Sequence, residues 1–308
     1  MPIQVYTHAL CLDHQPGPGH PESPARLRAV LHALDDSACT RSERIEAPAA
    51  TREQLARVHE PAMIDALFAA APAQGHVYLD ADTVMSAHSL GAALRAAGAV
   101  CAAVDAVFAD TRRRAFCAVR PPGHHATPDT AMGFCLFNNV AIGAAHALAT
   151  QSVERVAIID FDVHHGNGTA DIFAGEARVL YASTHQSPLY PGSGGVRQRG
   201  VDNLVHVPLA AGSGSREFRE AFVSRILPEL DRFAPQLLLV SAGFDAHRLD
   251  PLANLNLDAE DYAWVTGELV AVAERHAGGR IVSSLEGGCS LTALHESTIA
   301  HINAMAGC

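Results

Sequence analysis

Arg155-Val156-Ala157-Ile158-Ile159-Asp160-Phe161-Asp162-Val163-His164-His165-Gly166-Asn167-Gly168 decides how this chain is read. Val156 to Ile159 is an apolar run suited to a buried strand, and its end carries Asp160, Asp162 and His164 at every second position. Side chains alternate across a strand, so these three point to one side. A buried parallel strand ordinarily finishes apolar, because an unpaired carboxylate there costs several kcal/mol. Two oxygen donors and an imidazole gathered at a strand end form the nucleus of a metal site. The competing reading is a closed Asp/His network ending the strand, but no Lys or Arg stands beside the three residues to balance it.

A second apolar run, Leu237-Leu238-Leu239-Val240, passes through Ser241-Ala242-Gly243-Phe244 into Asp245. Open α/β sheets bind ligands beyond the carboxyl ends of their strands, which predicts that Asp245 joins Asp162 and His164. Three protein ligands leave a fourth position for water, as in catalytic zinc sites. The mixed oxygen and nitrogen set also suits Fe(II), Mn(II) or Co(II), so zinc is favoured without being forced. A third cluster, Arg120-Pro121-Pro122-Gly123-His124-His125, follows strand-like Phe116 to Val119. Its prolines and glycine stop regular structure, which sets both histidines on a rigid loop at another strand end. Tandem histidines in a turn are usually solvated and idle. Beside a metal site, one of them can take a proton from water and return it to a leaving amine. Asp160 and Asn167 are placed to orient the pair.

Strand-like and helix-like segments alternate along the chain with no linker or repeat. Strands are expected at 2–7, 115–119, 155–160, 178–183, 203–208, 236–242 and 280–284. Helices are expected at 24–35, 52–70, 87–109, 138–149, 215–231, 258–277 and 291–305. This alternation predicts an α/β fold with a mainly parallel central sheet and helices on both faces. Ser23 is the expected cap of the helix that opens with Pro24. Pro- and Gly-rich pieces at 15–24, 121–128 and 188–200 read as loops at the sheet edge rather than domain boundaries, so 1–308 is taken as one domain.

Taken together, the segments Arg-Pro-Pro-Gly-His-His-Ala (120–126), Gly-Phe-Cys-Leu-Phe-Asn-Asn (133–139), Asp-Phe-Asp-Val-His-His-Gly-Asn-Gly (160–168), Ser-Ala-Gly-Phe-Asp-Ala-His (241–247) and Leu-Glu-Gly-Gly (285–288) resemble the histone deacetylase family. The match is to its class II-like branch and the bacterial histone deacetylase-like amidohydrolases. It begins at His20-Pro21-Glu22-Ser23-Pro24-Ala25-Arg26-Leu27 and covers nearly the whole chain. The resemblance implies an arginase/deacetylase-like fold and a zinc hydrolase that removes acyl groups from amines. By position it implies Asp162, His164 and Asp245 as zinc ligands and His124 and His125 as the paired histidines. Asp160 and Asn167 then hydrogen-bond that pair. It further implies structural potassium, held partly by carbonyls of the Asp160–His164 segment and near Ser183 and Thr184. Gly133, Phe134 and Tyr190 fall in its substrate tunnel, with the two aromatics as walls. Leu252 stands where polyamine-selective relatives carry glutamate, which argues against strict polyamine selectivity.

One departure from the family pattern carries weight. After Leu-Glu-Gly-Gly the active members carry a tyrosine whose hydroxyl donates to the substrate carbonyl, and this chain has Cys289. A thiol is a weak and shorter donor. Losing one oxyanion donor costs roughly 10²–10³ in rate. The expectation is a metal-dependent amidohydrolase, weak on ordinary acetyl-lysine, with His125 as general base and then acid and His124 supporting charge. Three readings of Cys289 stand open in the sequence: a small buried hydrophobe, a nucleophile, or a substitution introduced to trap substrate. Two rival functions stand beside the main one: a catalytically weak acyl-group binder, and a hydrolase of activated acyl compounds such as thioesters. A binuclear ureohydrolase is disfavoured, because too few carboxylates flank Asp162 and His164 for a second ion.

Lys and Arg number 22 against 33 Asp and Glu, a net charge of −11, which disfavours nucleic acid and anionic membranes as partners. Acyl-lysine, acyl-polyamine or another small acyl compound is the expected partner, and a homo-oligomer is compatible with the sequence. The seven cysteines (11, 39, 101, 117, 135, 289 and 308) include no Cys-x-x-Cys pair, which argues against a disulfide framework or a thiolate zinc site. With no uninterrupted apolar run of membrane-spanning length and no leader-like start, the expected location is the cytoplasm.

Overall fold

The apolar runs become strands of one sheet. The computed structural model describes residues 3–109, 113–195 and 202–307. Its strands are β1 (Ile3–Thr7), β2 (Ser42–Glu46), β3 (His76–Tyr78), β4 (Val84–Ser86), β5 (Arg114–Cys117), β6 (Val156–Asp160), β7 (Val179–Gln186), β8 (Leu204–Leu209), β9 (Leu237–Ala242) and β10 (Ile281–Leu285). Eight form one sheet in the order β2-β1-β5-β10-β9-β6-β7-β8, and each pairing is parallel. β3 and β4 pair separately as an antiparallel hairpin. Pro2, residues 196–200 of the expected loop and Cys308 lie outside the described residues.

β6, β7, β9 and β10 are buried along their whole length. A parallel strand covered on both faces reads as a continuous apolar run rather than an alternating one, and this made these strands visible in the sequence. Helices Pro24–Asp35, Ala259–His276 and Leu291–Ala306 pack as one group, and Ser89–Ala109 packs with Asn139–Thr150 as another. Each group lies against sheet strands, as the α/β reading predicts. Helix Ser89–Ala109 is long and apolar enough to cross a membrane, yet 61% of its most apolar window is buried in the protein. Arg95 and Asp105 break the run in the sequence, and the helix packs in the core.

Several local expectations are corrected. Helix 52–70 is two helices, Arg52–Leu55 and Pro61–Ala70. Pro61 disfavours helical geometry at Glu60 and opens a new helix at its own position. Ser23 precedes its helix but makes no side-chain cap bond. The helix predicted at 215–231 runs to Phe233 through a π-turn at Phe222–Ile226, beside Pro228, which has no N–H for an α-helical bond. Strand β2 was not read, because Ser-Glu-Arg-Ile-Glu is polar and mostly exposed at the sheet edge.

One buried contact has a measurable consequence. His59 Nε2 lies 2.9 Å from the amide nitrogen of Asn138, so it accepts, while Nδ1 donates to the Thr127 carbonyl at 2.9 Å. That arrangement needs a neutral ring. Burial lowers the His59 pKa from 6.5 to about 4. The folded state favours the neutral form, so its stabilisation is complete above pH 6.5 and is lost as pH falls from 6.5 towards 4. Its full size is on the order of 3 kcal/mol. Chemical denaturation of the wild type and His59→Gln at pH 7 and pH 4.5 should show a gap that narrows in acid; a gap constant with pH would refute this account.

Candidate active site

The loops that leave β5, β10, β9, β6 and β7 start from neighbouring strands of the sheet. Asp162 and His164 follow β6, Asp245 follows β9, and one donor atom from each lies within 4.8 Å of the others. His164 Nδ1 stands 3.1 Å from Asp162 Oδ1 and 3.2 Å from Asp245 Oδ2. The remaining carboxylate oxygens are held by the backbone: Gly287 N–H donates to Asp162 Oδ2 at 2.7 Å, and Val163 N–H to Asp245 Oδ1 at 2.8 Å. Only glycine fits at 287, since a Cβ there would collide with the carboxylates of Asp245 and Asp162. Burial opposes a charge on His164, but Asp162 and Asp245 outweigh it and push its pKa up to about 10. The imidazolium thus supplies positive charge between two buried carboxylates, the role a divalent cation would fill. By donor set and charge the cluster fits such a metal.

His124 and His125 sit on the loop after β5, with rings 4.0 Å apart. Asp160 Oδ2 lies 3.0 Å from His124 Nδ1 and accepts a second bond from Tyr181 Oη at 2.9 Å. His125 Nδ1 is 2.7 Å from Asn167 Oδ1. An amide oxygen only accepts, so Nδ1 carries the hydrogen and Nε2 is the free acceptor of that ring. Burial disfavours charge on His124, yet Asp162 and Asp160 raise its pKa to about 10. Burial, then the neighbouring charges of His124 and His164, hold the pKa of His125 well below its ordinary value. Two adjacent histidines are thereby driven apart, one towards the charged form and one towards the neutral form. The expected partners, Asp160 for His124 and Asn167 for His125, are the ones found.

Above these groups lies a cavity of about 240 Å³ whose wall includes Phe134, Tyr190, Leu252 and Cys289. Gly133 and Phe134 both have positive φ, at 57° and 67°. A side chain at Gly133 would strike the His125 ring, so the backbone itself forms that part of the wall. Phe134 N–H donates to Thr83 Oγ1 at 3.1 Å, which ties the wall to the β3–β4 hairpin. Tyr190 stands edge-on to His125 with ring centres 5.1 Å apart. The half-buried Cys289 donates its amide to Asp250 Oδ2 at 2.6 Å, and its Sγ is 3.8 Å from the Pro21 carbonyl. Burial pushes the thiol up to about 12, so it stays protonated. A thiolate is the reactive form of cysteine, so burial weighs against the nucleophile reading.

Several supporting residues had no role assigned from sequence. Glu286 accepts from the amides of Gly123 at 2.6 Å and His124 at 3.2 Å and so anchors the histidine loop. Its signal was present, a carboxylate directly after the apolar strand 281–285, the same pattern that singled out Asp160. Asp250 holds the amides of Cys289, Ser290 and Leu252 together. Tyr181 and Arg120 are buried and meet their partners Asp160 and Glu22 across distant segments, whereas Glu22 and Arg26 stand four residues apart in one segment.

Residues 20–305 match the histone deacetylase domain. The chain belongs to this family. It is 41% identical over 304 residues to the histone deacetylase-like amidohydrolase of Pseudomonas aeruginosa, covering 91% of this chain and 80% of that one. It is 38% identical over 324 residues to histone deacetylase 14, chloroplastic, of Arabidopsis thaliana, covering 98% and 76%. The crystal structure of the HDA15 HD domain superposes with a TM-score of 0.91 at 34% identity, over 99% of this chain and 91% of that one. Family and relatives together mark the chain as a deacetylase-type hydrolase acting on amides, with the α/β fold of the family.

Proposed function

We propose that this chain, acting as one domain over 1–308, removes acyl groups from acyl-lysine, acyl-polyamine or a related small acyl-amine, with one Zn²⁺ held by Asp162, His164 and Asp245. The observation that carries the proposal is the convergence of those three donors beside two oppositely poised histidines. When bound, zinc polarises the acyl carbonyl and acidifies the attacking water. His125, kept neutral and oriented by Asn167, takes the water proton on Nε2 and returns it to the amine that leaves. His124, charged and held by Asp160, stabilises negative charge developing on the carbonyl oxygen. Phe134 and Tyr190, with the Gly133 backbone and Leu252, hold the acyl-amine stem and exclude water. Cys289 occupies the wall where a phenol would donate to that oxygen, and its thiol is directed to the Pro21 carbonyl instead. That contact favours a second reading, a weakly turning acyl-group binder or a hydrolase of activated compounds such as thioesters, which need less oxyanion support.

Potassium is assigned a structural role near Asp160–His164, where Asp160 pairs in register with Ser183 across β6 and β7. Among the described residues six cysteines are free thiols, which favours a reducing compartment and supports the cytoplasm as its location. The charge of −11 supports a partner that is neither nucleic acid nor membrane, and a homo-oligomer remains compatible.

Chelation is the direct test. Removing metal from the purified chain should abolish hydrolysis of both acetyl-lysine and trifluoroacetyl-lysine reporters, and one equivalent of Zn²⁺ should restore it. Hydrolysis that persists in metal-free protein would refute the zinc mechanism. Tight binding of acyl-lysine with no turnover of either reporter would favour the binding reading.

A further inference from the structure

Met132 and Cys135 exchange backbone hydrogen bonds, Cys135 N–H to the Met132 carbonyl at 2.9 Å and Met132 N–H to the Cys135 carbonyl at 3.1 Å. Gly133 and Phe134 are therefore the central residues of a tight turn, and their positive φ values are those of type I′. Asparagine and glycine ordinarily fill such positions. Phe134 is a bulky side chain held left-handed, a conformation that persists only where the surroundings over-determine it. It also forms part of the cavity wall. The bonds inside the turn use the amides of Met132 and Cys135, so the amide of Phe134 needs an acceptor from elsewhere.

That acceptor is the hydroxyl of Thr83, at 3.1 Å. Thr83 is fully buried and lies in the turn between β3 and β4. Its hydroxyl hydrogen goes to Asp80 Oδ2 at 3.1 Å, with Asp82 Oδ1 further off at 3.4 Å, which leaves a lone pair for the Phe134 amide. Asp80 Oδ1 accepts from the amides of Asp82 at 2.9 Å and Thr83 at 2.5 Å, so one carboxylate fixes both the turn and the hydroxyl it carries. A second strut reaches the ring. His20 Nε2 lies 2.9 Å from the Asp82 carbonyl, which only accepts, so Nε2 carries the hydrogen. The His20 ring stands edge-on to the Phe134 ring with centres 4.9 Å apart. The short turn thus controls Phe134 twice, the backbone through Thr83 and the ring through His20.

We propose that Thr83 is a positioning residue of the substrate wall: its hydroxyl, oriented by Asp80, holds Phe134 in the left-handed conformation that keeps the ring against the stem of the acyl-amine. The inference rests on the reading of the site as an amide hydrolase with Phe134 on that stem, and names the residue that sets how firmly the stem is held. Thr83 does not touch the reacting atoms. Valine at 83 keeps the branched shape and removes the acceptor. The Phe134 amide is then left unpaired and the turn relaxes towards negative φ, which carries the ring off the wall. What is lost is binding that substrate and transition state share, so KM rises and kcat is spared.

The test uses the zinc-loaded full chain and a trifluoroacetyl-lysine peptide. In Thr83→Val, KM should rise about fivefold or more, the worth of one aromatic contact, while kcat stays within about twofold of the wild type. Thr83→Ser keeps the hydroxyl and should return KM to near the wild-type value. In a Phe134→Ala background Thr83→Val should add nothing, since its effect passes through the ring. An unchanged KM in Thr83→Val, a serine variant as impaired as the valine one, or an equal effect in the Phe134→Ala background would each overturn the inference while leaving the hydrolase reading intact. Hydrogen exchange of the wild type reads the bond without any variant: the Phe134 amide should be protected, and exchange at the rate of an open loop overturns the inference even if Thr83→Val does not fold. Should the wild type hydrolyse no acyl-lysine, the hydrolase reading fails, and calorimetric binding of the peptide to the same variants decides this inference separately. Weaker binding by Thr83→Val that Thr83→Ser restores supports it, and equal binding by all three forms overturns it.

Discussion

Asp162→Ala and His164→Ala are expected to leave purified protein with no retained zinc and no measurable amide hydrolysis. The three donor atoms lie within 4.8 Å of one another, and among the described residues no fourth His, Cys, Asp or Glu joins them. Removing one leaves two, and a two-ligand site does not hold the ion through dialysis. The two variants differ in a second respect. His164→Ala leaves Asp162 and Asp245 facing each other with no positive charge between them, which raises the stability cost of the metal-free state. Asp162→Ala removes one of those carboxylates and also frees the Gly287 amide. Thermal unfolding in a chelator should therefore show His164→Ala as the less stable variant relative to its own pH 5 value, where carboxylate protonation relieves the repulsion. Elemental analysis gives the primary readout. Stoichiometric zinc in both variants would end the assignment of these ligands.

Cys289→Tyr is expected to raise hydrolysis of acetyl-lysine by roughly 10²-fold or more at equal zinc content. Cys289 sits in the cavity wall with its amide fixed by Asp250, so a phenol there would project from an anchored turn. The gain should be in kcat, since the added donor serves the developing oxyanion more than the ground-state carbonyl. Trifluoroacetyl-lysine should gain less, because its carbonyl already bears charge more readily. Little change on acetyl-lysine, with both forms slow, would show that the rate is not limited by an oxyanion donor at this position.

How much was legible in sequence follows from where each residue's partners lie. Asp160, Asp162 and His164 announce themselves because three polar groups stand at every second position where an apolar run ends, although the strand itself stops at Asp160 and the other two lie on its exit. Asp245 repeats the signal on β9. His124 and His125 needed the prolines before them to be read as a fixed loop. In each case the information is local, carried by one element and its exit. The β3–β4 hairpin was missed because its strands are three residues each and gain their order from packing on the cavity wall. The split at Pro61 was legible in principle, since proline opens helices more often than it continues them.

By itself the sequence determined the class of fold, the alternation of strands and helices, the convergence of Asp162, His164 and Asp245, and the histidine pair with its partners. These depend on periodicity and on what a strand end tolerates, both of which are properties of short segments. Only the tertiary structure decided that His124 is driven charged while His125 is driven neutral, because that split comes from Asp160, Asp162 and His164 arriving from another strand. It alone turned the Cys289 thiol to Pro21 and set two arginines against one glutamate behind it. Arg26 and Glu22 are four positions apart, but the Cys289–Pro21 and Arg120–Glu22 contacts join residues 268 and 98 positions apart, and electrostatics between such groups exist only once the sheet has brought their loops together.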